Sequence, residues 1–239
     1  AAAKNDRGEY AVQCAAAELG KGRVIAWPRH DGIIAPMKRF YYNAAKWLAN
    51  SPALTIAMAG NPKVTEDLTR YLRTKGCTVN SLPAKPAAAD LVGIDVVFIN
   101  TMVLRETDLA PLDEFVRQGG GAFVYDTHWI WCSYGWGKTV PRHERGQKHP
   151  ASNFLREAGI AYLAGHVPET SPISKTLTPM TNGYWAAKAL ADGHTFVDAD
   201  YPVMERAIGD TMWRFDRKAD PKMWTEFTGV ILAEANKFS

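Results

Sequence analysis

The stretch from Asp95 to Asn100 constrains the possible folds most strongly. Its sequence, DVVFIN, is a continuous apolar run rich in β-branched residues, which is typical of a parallel strand buried on both faces. Similar short runs occur at Val24–Trp27, Leu54–Met58 and Ala122–Asp126. Because parallel strands must be joined by long crossover connections, these runs predict a layered α/β fold.

Amphipathic helical patterns separate the predicted strands. Apolar residues recur at three- and four-residue steps within 36–50, 64–72 and 109–116, as in helices with one buried face. The alternation predicts a doubly wound, mostly parallel sheet of the flavodoxin-like or class I amidotransferase-like type. A hairpin is predicted before it, because Gly20-Lys21-Gly22 separates two short apolar runs and glycine accepts tight turns.

The pattern changes beyond Ser171, where helices are predicted without convincing strands between them. Three helical patterns follow: Gly183–Ala191, Val203–Phe215 and Pro221–Asn236. We therefore predict an α/β domain with its hairpin at 1–170, and a mostly helical segment at 171–239 that packs on it. The chain begins Ala-Ala-Ala-Lys without an initiator Met, which fits a processed or excised chain. We expect it to be part of a larger protein, and the expected location is secreted or periplasmic.

Composition excludes several classes of function. Of the 239 residues 46% are apolar, and the 28 basic residues exceed the 25 acidic ones by three and are scattered, which argues against a nucleic-acid partner. No apolar run approaches the ~18 residues of a membrane span. The glycine-rich stretches match neither dinucleotide nor P-loop motifs, so no cofactor is predicted.

Metal ligands and nucleophiles are poorly represented. His143 and His149 are six residues apart, which does not place two imidazoles on one helix face, and the segment between them is predicted to be a solvated polar loop. No metal site is predicted. The three cysteines form no CxxC pair. Cys132 is the one candidate nucleophile, but Ile130 and Tyr134 occupy the positions where a nucleophile elbow needs small residues.

The predicted binding site lies at the carboxyl ends of the strands, where open parallel sheets bind ligands. Aromatic residues cluster just beyond the last strand. On an extended segment Trp129 and Trp131 would share one side, as a stacking platform for a sugar or a protein or as a packing plug. The candidate ligand-binding residues are His30, Asp31, Asn100, Asp126, His128, Trp129 and Trp131.

Several stretches resemble a known family in order and spacing, over about Tyr10 to Tyr162. They are GKGRVIAW and HDG at 20–32, FYYNAAKWL at 40–48, FVRQGGGA at 115–122, the Trp-rich segment, and NFLREAGI at 153–160. This resembles the class I glutamine-amidotransferase-like region that precedes the catalytic domain of enhancin-type, mucin-targeting zinc metallopeptidases. A similar region occurs in the TRP-channel-associated factor proteins.

The resemblance implies a non-catalytic module. In that family the HExxH zinc motif lies in a later domain, and the amidotransferase-like region has lost its catalytic cysteine, so no catalytic residue is carried over to this chain. We expect a binding or structural module with a protein or glycan ligand. The alternative is a small hydrolase or amidotransferase that uses Cys132, with His30 or His128 as base and Asp31 or Asp126 orienting it.

Overall fold

The structure is a computed structural model, and it describes most of the chain between Cys14 and Ile160. The described residues are 2–4, 10–12, 14–28, 37–49, 51, 53–60, 62–126, 128–133, 135–140, 148–158 and 160, with scattered positions from 186 to 229. The chain divides into two compact units, Cys14–Gly165 and a unit formed by Ala1–Gln13 with His166–Ser239. The predicted packing of a C-terminal segment on the sheet stays a prediction.

The unit formed by Ala1–Gln13 and His166–Ser239 contains a small antiparallel sheet of β1 (Ala2–Lys4) and β2 (Tyr10–Val12). Beyond residue 171, the described positions in regular secondary structure are all helical. Among them are Ala186, Ala187 and Met204, whose side chains are buried.

The unit Cys14–Gly165 is a sheet with helices. Its strands are β3 (Ala15–Leu19), β4 (Gly22–Trp27), β5 (Thr55–Ala59), β6 (Thr78–Leu82), β7 (Val96–Asn100) and β8 (Gly121–Tyr125). Its helices are α1 (Lys38–Leu48), α2 (Pro62–Thr74), α3 (Ala110–Arg117), α4 (His128–Ser133) and α5 (Pro150–Phe154). Short 3-10 helices lie at Ala88–Leu91, Glu106–Leu109, Trp136–Thr139 and Arg156–Ala158.

The six strands form one mixed sheet in the order β3-β4-β8-β7-β5-β6. All neighbours are parallel except β3, which forms the predicted hairpin with β4. The predicted α/β class with a mostly parallel sheet is therefore confirmed. The flavodoxin-like order is not, because in that order the first parallel strand lies between the second and third. Here β4, the first parallel strand, instead lies between β3 and β8.

The central strands are buried on both faces, as their apolar runs predicted. Along β7, Val96 and Phe98 belong to the core cluster that contains Tyr41 and Leu48 of α1. The alternate residues of β7 belong to a second cluster with Leu112 and Val116 of α3. This alternation follows from the two-residue period of a strand, and it places helices on both faces of the sheet.

Two glycine-rich stretches pack directly against each other. Gly20 has a φ of +63° in the β3–β4 turn, and the Lys21 amide donates a 3.1 Å hydrogen bond to the Arg117 carbonyl. A Cβ on Gly22 would overlap the carbonyl oxygens of Gly120 and Val116. The hairpin therefore needs glycine for the close approach of α3 and for its turn.

Candidate functional site

The carboxyl ends of β4, β7 and β8 meet as predicted, and a buried polar cluster lies there. Asp126 directly follows β8, and its amide donates a 3.0 Å hydrogen bond to the Trp27 carbonyl at the end of β4. Thr101 directly follows β7, and its amide donates to the Tyr125 carbonyl at 3.2 Å. Backbone hydrogen bonds to the neighbouring strands therefore position both polar residues, independently of their side-chain contacts.

Asp126 is the centre of this cluster. Its side chain is completely buried, and its Oδ2 accepts a 2.7 Å hydrogen bond from the Thr101 hydroxyl. The Nε2 atom of His149, also completely buried, lies 3.5 Å from the same oxygen. Oδ1 of Asp126 has no hydrogen-bond partner within the described part of the chain. Burying a carboxyl group away from water costs free energy, so the hydrogen-bond partners of Asp126 must stabilise it.

His149 is held in place by the helix that it begins. It is the N-cap residue of α5, followed by Pro150 at the first helical position, and its Nδ1 accepts a 3.3 Å hydrogen bond from the Ser152 amide. The Ser152 hydroxyl lies 3.1 Å from the same nitrogen. Since Nδ1 accepts, the proton of a neutral imidazole is assigned to Nε2, which faces Asp126.

Trp131 packs against the His149 side of the cluster. Its side chain on α4 is completely buried, and its ring meets the imidazole of His149 edge to face, with centroids 4.9 Å apart. A Cβ on Gly137 would overlap the indole ring, and one on Gly135 would lie 2.9 Å from the Trp131 carbonyl oxygen. The two glycines therefore let the following segment pack directly over this tryptophan.

Ser152, His149 and Asp126 resemble the residue set of a serine hydrolase, but their placement differs from a working triad. Ser152 is in the same helical turn as His149, and its amide and its hydroxyl both meet Nδ1. All three side chains are buried. A nucleophile must reach a substrate carbonyl, and this serine is enclosed in the core. The arrangement is a helix cap joined to a buried carboxylate.

The predicted site residues are only partly brought together. Asp126 is the centre of the buried cluster, Trp131 packs against its His149, and Asn100 is the last residue of β7, directly before Thr101. The Asn100 side chain accepts a 2.9 Å hydrogen bond from the Met102 amide, which is a local turn contact. Outside the described residues are His30 and Asp31 altogether, and the side chains of His128 and Trp129. The predicted binding role of all seven residues stays a prediction.

Two local interpretations of the sequence are wrong. The extended segment expected for Trp129 and Trp131 is not present, because His128–Ser133 is the helix α4. Trp131 is also enclosed, so it offers no ring face to a ligand in this structure. The prediction of a solvated loop is wrong for His149, which is buried. A residue that precedes proline at a helix start is a capping position, and that signal was available.

Cys132, the candidate nucleophile, is half-buried on α4. A nucleophile elbow lies at the turn between a strand and the next helix. Asp126 occupies the position directly after β8, whereas Cys132 lies near the end of α4. No group of three or more His, Cys, Asp or Glu side chains is placed to bind a metal ion within the described residues. In the same part of the chain, no helix is both long and apolar enough to cross a membrane.

The buried cluster is expected to contribute strongly to stability. We expect Asp126→Ala to lower the free energy of unfolding by about 2–3 kcal/mol, because the Thr101 hydroxyl loses its acceptor inside the core. Asp67→Ala is the control, since Asp67 is exposed and its ion pair with Arg70 is also exposed, and it should change stability by less than about 0.5 kcal/mol. Urea denaturation measures both variants. Equal losses for both would contradict a stabilising role for the cluster.

Comparison with known proteins identifies the family. The family model TCAF_N, described as "TRPM8, N-terminal domain", matches residues 5–173. The chain belongs to the TCAF N-terminal domain family. The resemblance drawn from the sequence is therefore confirmed. The match includes the hairpin, the whole six-stranded sheet and the buried cluster.

Curated relatives of this TCAF-family chain are channel-associated factors from mammals. TRPM8 channel-associated factor 2 of Bos taurus is 29% identical over 133 residues, which are 54% of this chain and 13% of that protein. TRPM8 channel-associated factor 3 of Rattus norvegicus is 26% identical over 165 residues, 66% of this chain and 16% of that protein. The matched part of the chain thus spans less than a fifth of either relative.

A solved structure is also similar at a lower level. The structure of IMPa from Pseudomonas aeruginosa in complex with an O-glycopeptide matches 79% of this chain and 27% of that one, with 14% identity and a TM-score of 0.38.

The predicted secreted or periplasmic location is wrong. The TCAF relatives are named as factors associated with the TRPM8 channel. Such channel-associated factors are not secreted or periplasmic proteins.

Proposed function

We propose that this domain is a non-catalytic binding module of a larger protein, built on a class I amidotransferase-like scaffold, and that its ligand is another protein. The observation that carries the proposal is the complete burial of Asp126 and His149 at the carboxyl edge of the sheet. In an enzyme of this fold class, acid and base groups at that edge would have to meet a substrate. Here they contact Thr101, Ser152 and Trp131.

A protein ligand is favoured by the family. The relatives are named for their association with the TRPM8 channel, and a binding module can present its surface to a partner without an open active site. Association of the chain with purified TRPM8 channel tests this directly. We expect saturable binding that is unchanged by Cys132→Ser. An O-glycosylated peptide is the second probe, and binding to it that disappears when the glycan is removed would indicate a glycan ligand instead.

Thiol reactivity tests the non-catalytic part of the proposal. Burial raises the pKa of Cys14 to about 11 and also raises the pKa of Cys77 above its usual value. Since only the thiolate reacts, we expect both residues to be alkylated slowly by iodoacetamide between pH 5 and 9. The rate at Cys14 should still be rising at the upper end of that range.

Cys132 decides between the module and the rival enzyme. The proposal expects no fast alkylation of Cys132 below pH 7, measured by mass spectrometry of the native protein with Cys132→Ser as the matched control. A rapid reaction below pH 7 would contradict the proposal, because a low thiol pKa is what a cysteine nucleophile needs. Release of ammonia from glutamine that depends on Cys132 would contradict it as well.

A further inference from the structure

An open groove lies at the amino ends of the strands, opposite the buried cluster. We call it the amino-end groove. Its volume is about 500 Å³, and its walls are the turn that precedes β7, the exposed side of α3 and the glycines that precede β8. The residues on which the argument rests are Val92, Ile94, Asp95, Pro111, Glu114 and Phe115.

The groove presents apolar side chains that the core does not bury. Val92 is 81% exposed, the largest exposed fraction among the exposed large hydrophobic residues within the described part of the chain. It is followed by Gly93, whose φ of +73° places Val92 at the tip of a tight turn. Phe115 and Ile94 are half-buried and pack against the core cluster below them. An apolar rim over an aromatic floor is typical of sites that anchor one large side chain.

The charge of the groove is of one sign. Asp95 and Glu114 line it, and no lysine, arginine or histidine does so within the described residues. Asp95 accepts a hydrogen bond from the Thr55 amide, and Glu114 accepts one from the Gln118 side-chain amide, so both carboxylates are held by uncharged donors. The nearest cation on α3, Arg117, is held by Asp113 and Glu157 at 2.8 and 2.9 Å. The groove therefore favours a partner that brings positive charge.

From this geometry we infer that the amino-end groove binds a segment of a partner protein in which a large apolar side chain is followed by lysine or arginine. The apolar side chain packs between Val92 and Phe115, and the cation meets Glu114 and Asp95. A small apolar molecule would offer no positive charge to either carboxylate and would leave much of its own surface in water. The inference rests on the proposed function, and it names the surface and the chemistry of the partner.

The test uses the full chain and synthetic eight-residue peptides of three matched kinds. One kind contains Leu-Lys or Phe-Arg at its centre, the second replaces the basic residue by glutamate, and the third replaces the apolar residue by alanine. We expect the first kind to bind about tenfold more tightly than either of the others in fluorescence anisotropy. Amide chemical shifts of the groove residues should change on titration.

Variants of the groove make the test specific. Val92→Asp and Glu114→Lys should each weaken binding of the apolar-basic peptide about tenfold, and Glu114→Lys should improve binding of the acidic peptide. Val103→Asp and Glu106→Lys are the matched controls, because Val103 is 52% exposed and Glu106 is exposed and neither lines the groove. All four positions are on the surface, so the variants should remain folded, which circular dichroism checks.

Every other outcome overturns the inference. It fails if the folded chain prefers none of the peptides, if the groove variants bind as the wild type does, or if the controls lose binding equally. It also fails if the chain self-associates and Val92→Asp abolishes that, since the groove would then hold a second copy. If both groove variants still bind the TRPM8 channel, the groove is not the binding surface, but the proposed function is unaffected. A chain that binds neither peptides nor the channel would remove the proposed function itself.

Discussion

Trp131→Ala is expected to lower the free energy of unfolding by about 3–5 kcal/mol. The indole is completely buried, meets the ring of His149, and is covered by the segment that contains Gly137. Removing it leaves a large cavity and opens the polar cluster to water. Because small domains are stable by only about 5–15 kcal/mol, the variant should unfold at a much lower urea concentration than the wild type does.

Two further variants make the result interpretable. Trp131→Phe retains most of the buried ring and should cost clearly less than the alanine variant. Trp47→Ala removes a tryptophan that is 39% exposed and stacks on Arg23, so we expect a loss of about 1 kcal/mol or less. Wild-type stability in Trp131→Ala, with loss of ligand binding, would show instead that this ring belongs to a binding surface.

Gly22→Ala is expected to destabilise the domain by about 3 kcal/mol. A methyl group there would overlap the backbone carbonyl oxygens of Val116 and Gly120, and neither can rotate away as a side chain would. The substitution must therefore separate the hairpin from the end of α3. That movement would also strain the hydrogen bond from the Arg23 amide to the Gly120 carbonyl.

Gly120→Ala is the matched control for this prediction. The three heavy atoms nearest to its added methyl group all belong to the ring of Phe115, which is half-buried and can turn toward the solvent, so we expect a loss of about 1 kcal/mol or less. Urea denaturation of the two alanine variants gives the comparison. A larger loss in Gly120→Ala than in Gly22→Ala would contradict the close packing of the two glycine-rich stretches.

The parallel strands and their helices were predictable because their signals are local. The continuous β-branched run at Val96–Asn100 and the amphipathic period of Lys38–Leu48 each indicate burial from neighbouring residues alone. The hairpin was equally clear from Gly20-Lys21-Gly22. The strand order was not predictable in the same way, because each pattern says that a strand is buried without saying which strand lies beside it. The position of β4 next to β8 depends on how the crossovers pack.

At the candidate site, some features were also predictable from local sequence, whereas others depended on tertiary packing. The sequence alone determined that Asp126 and Asn100 end strands of one parallel sheet, and therefore that polar groups gather at its carboxyl edge. Only the tertiary structure decided that His149, more than twenty residues later in the sequence, lies against Asp126, and that Trp131 lies on a helix and packs against the ring of His149. Periodicity and strand ends are encoded in neighbouring residues, whereas burial of a polar group depends on partners that distant segments bring to it.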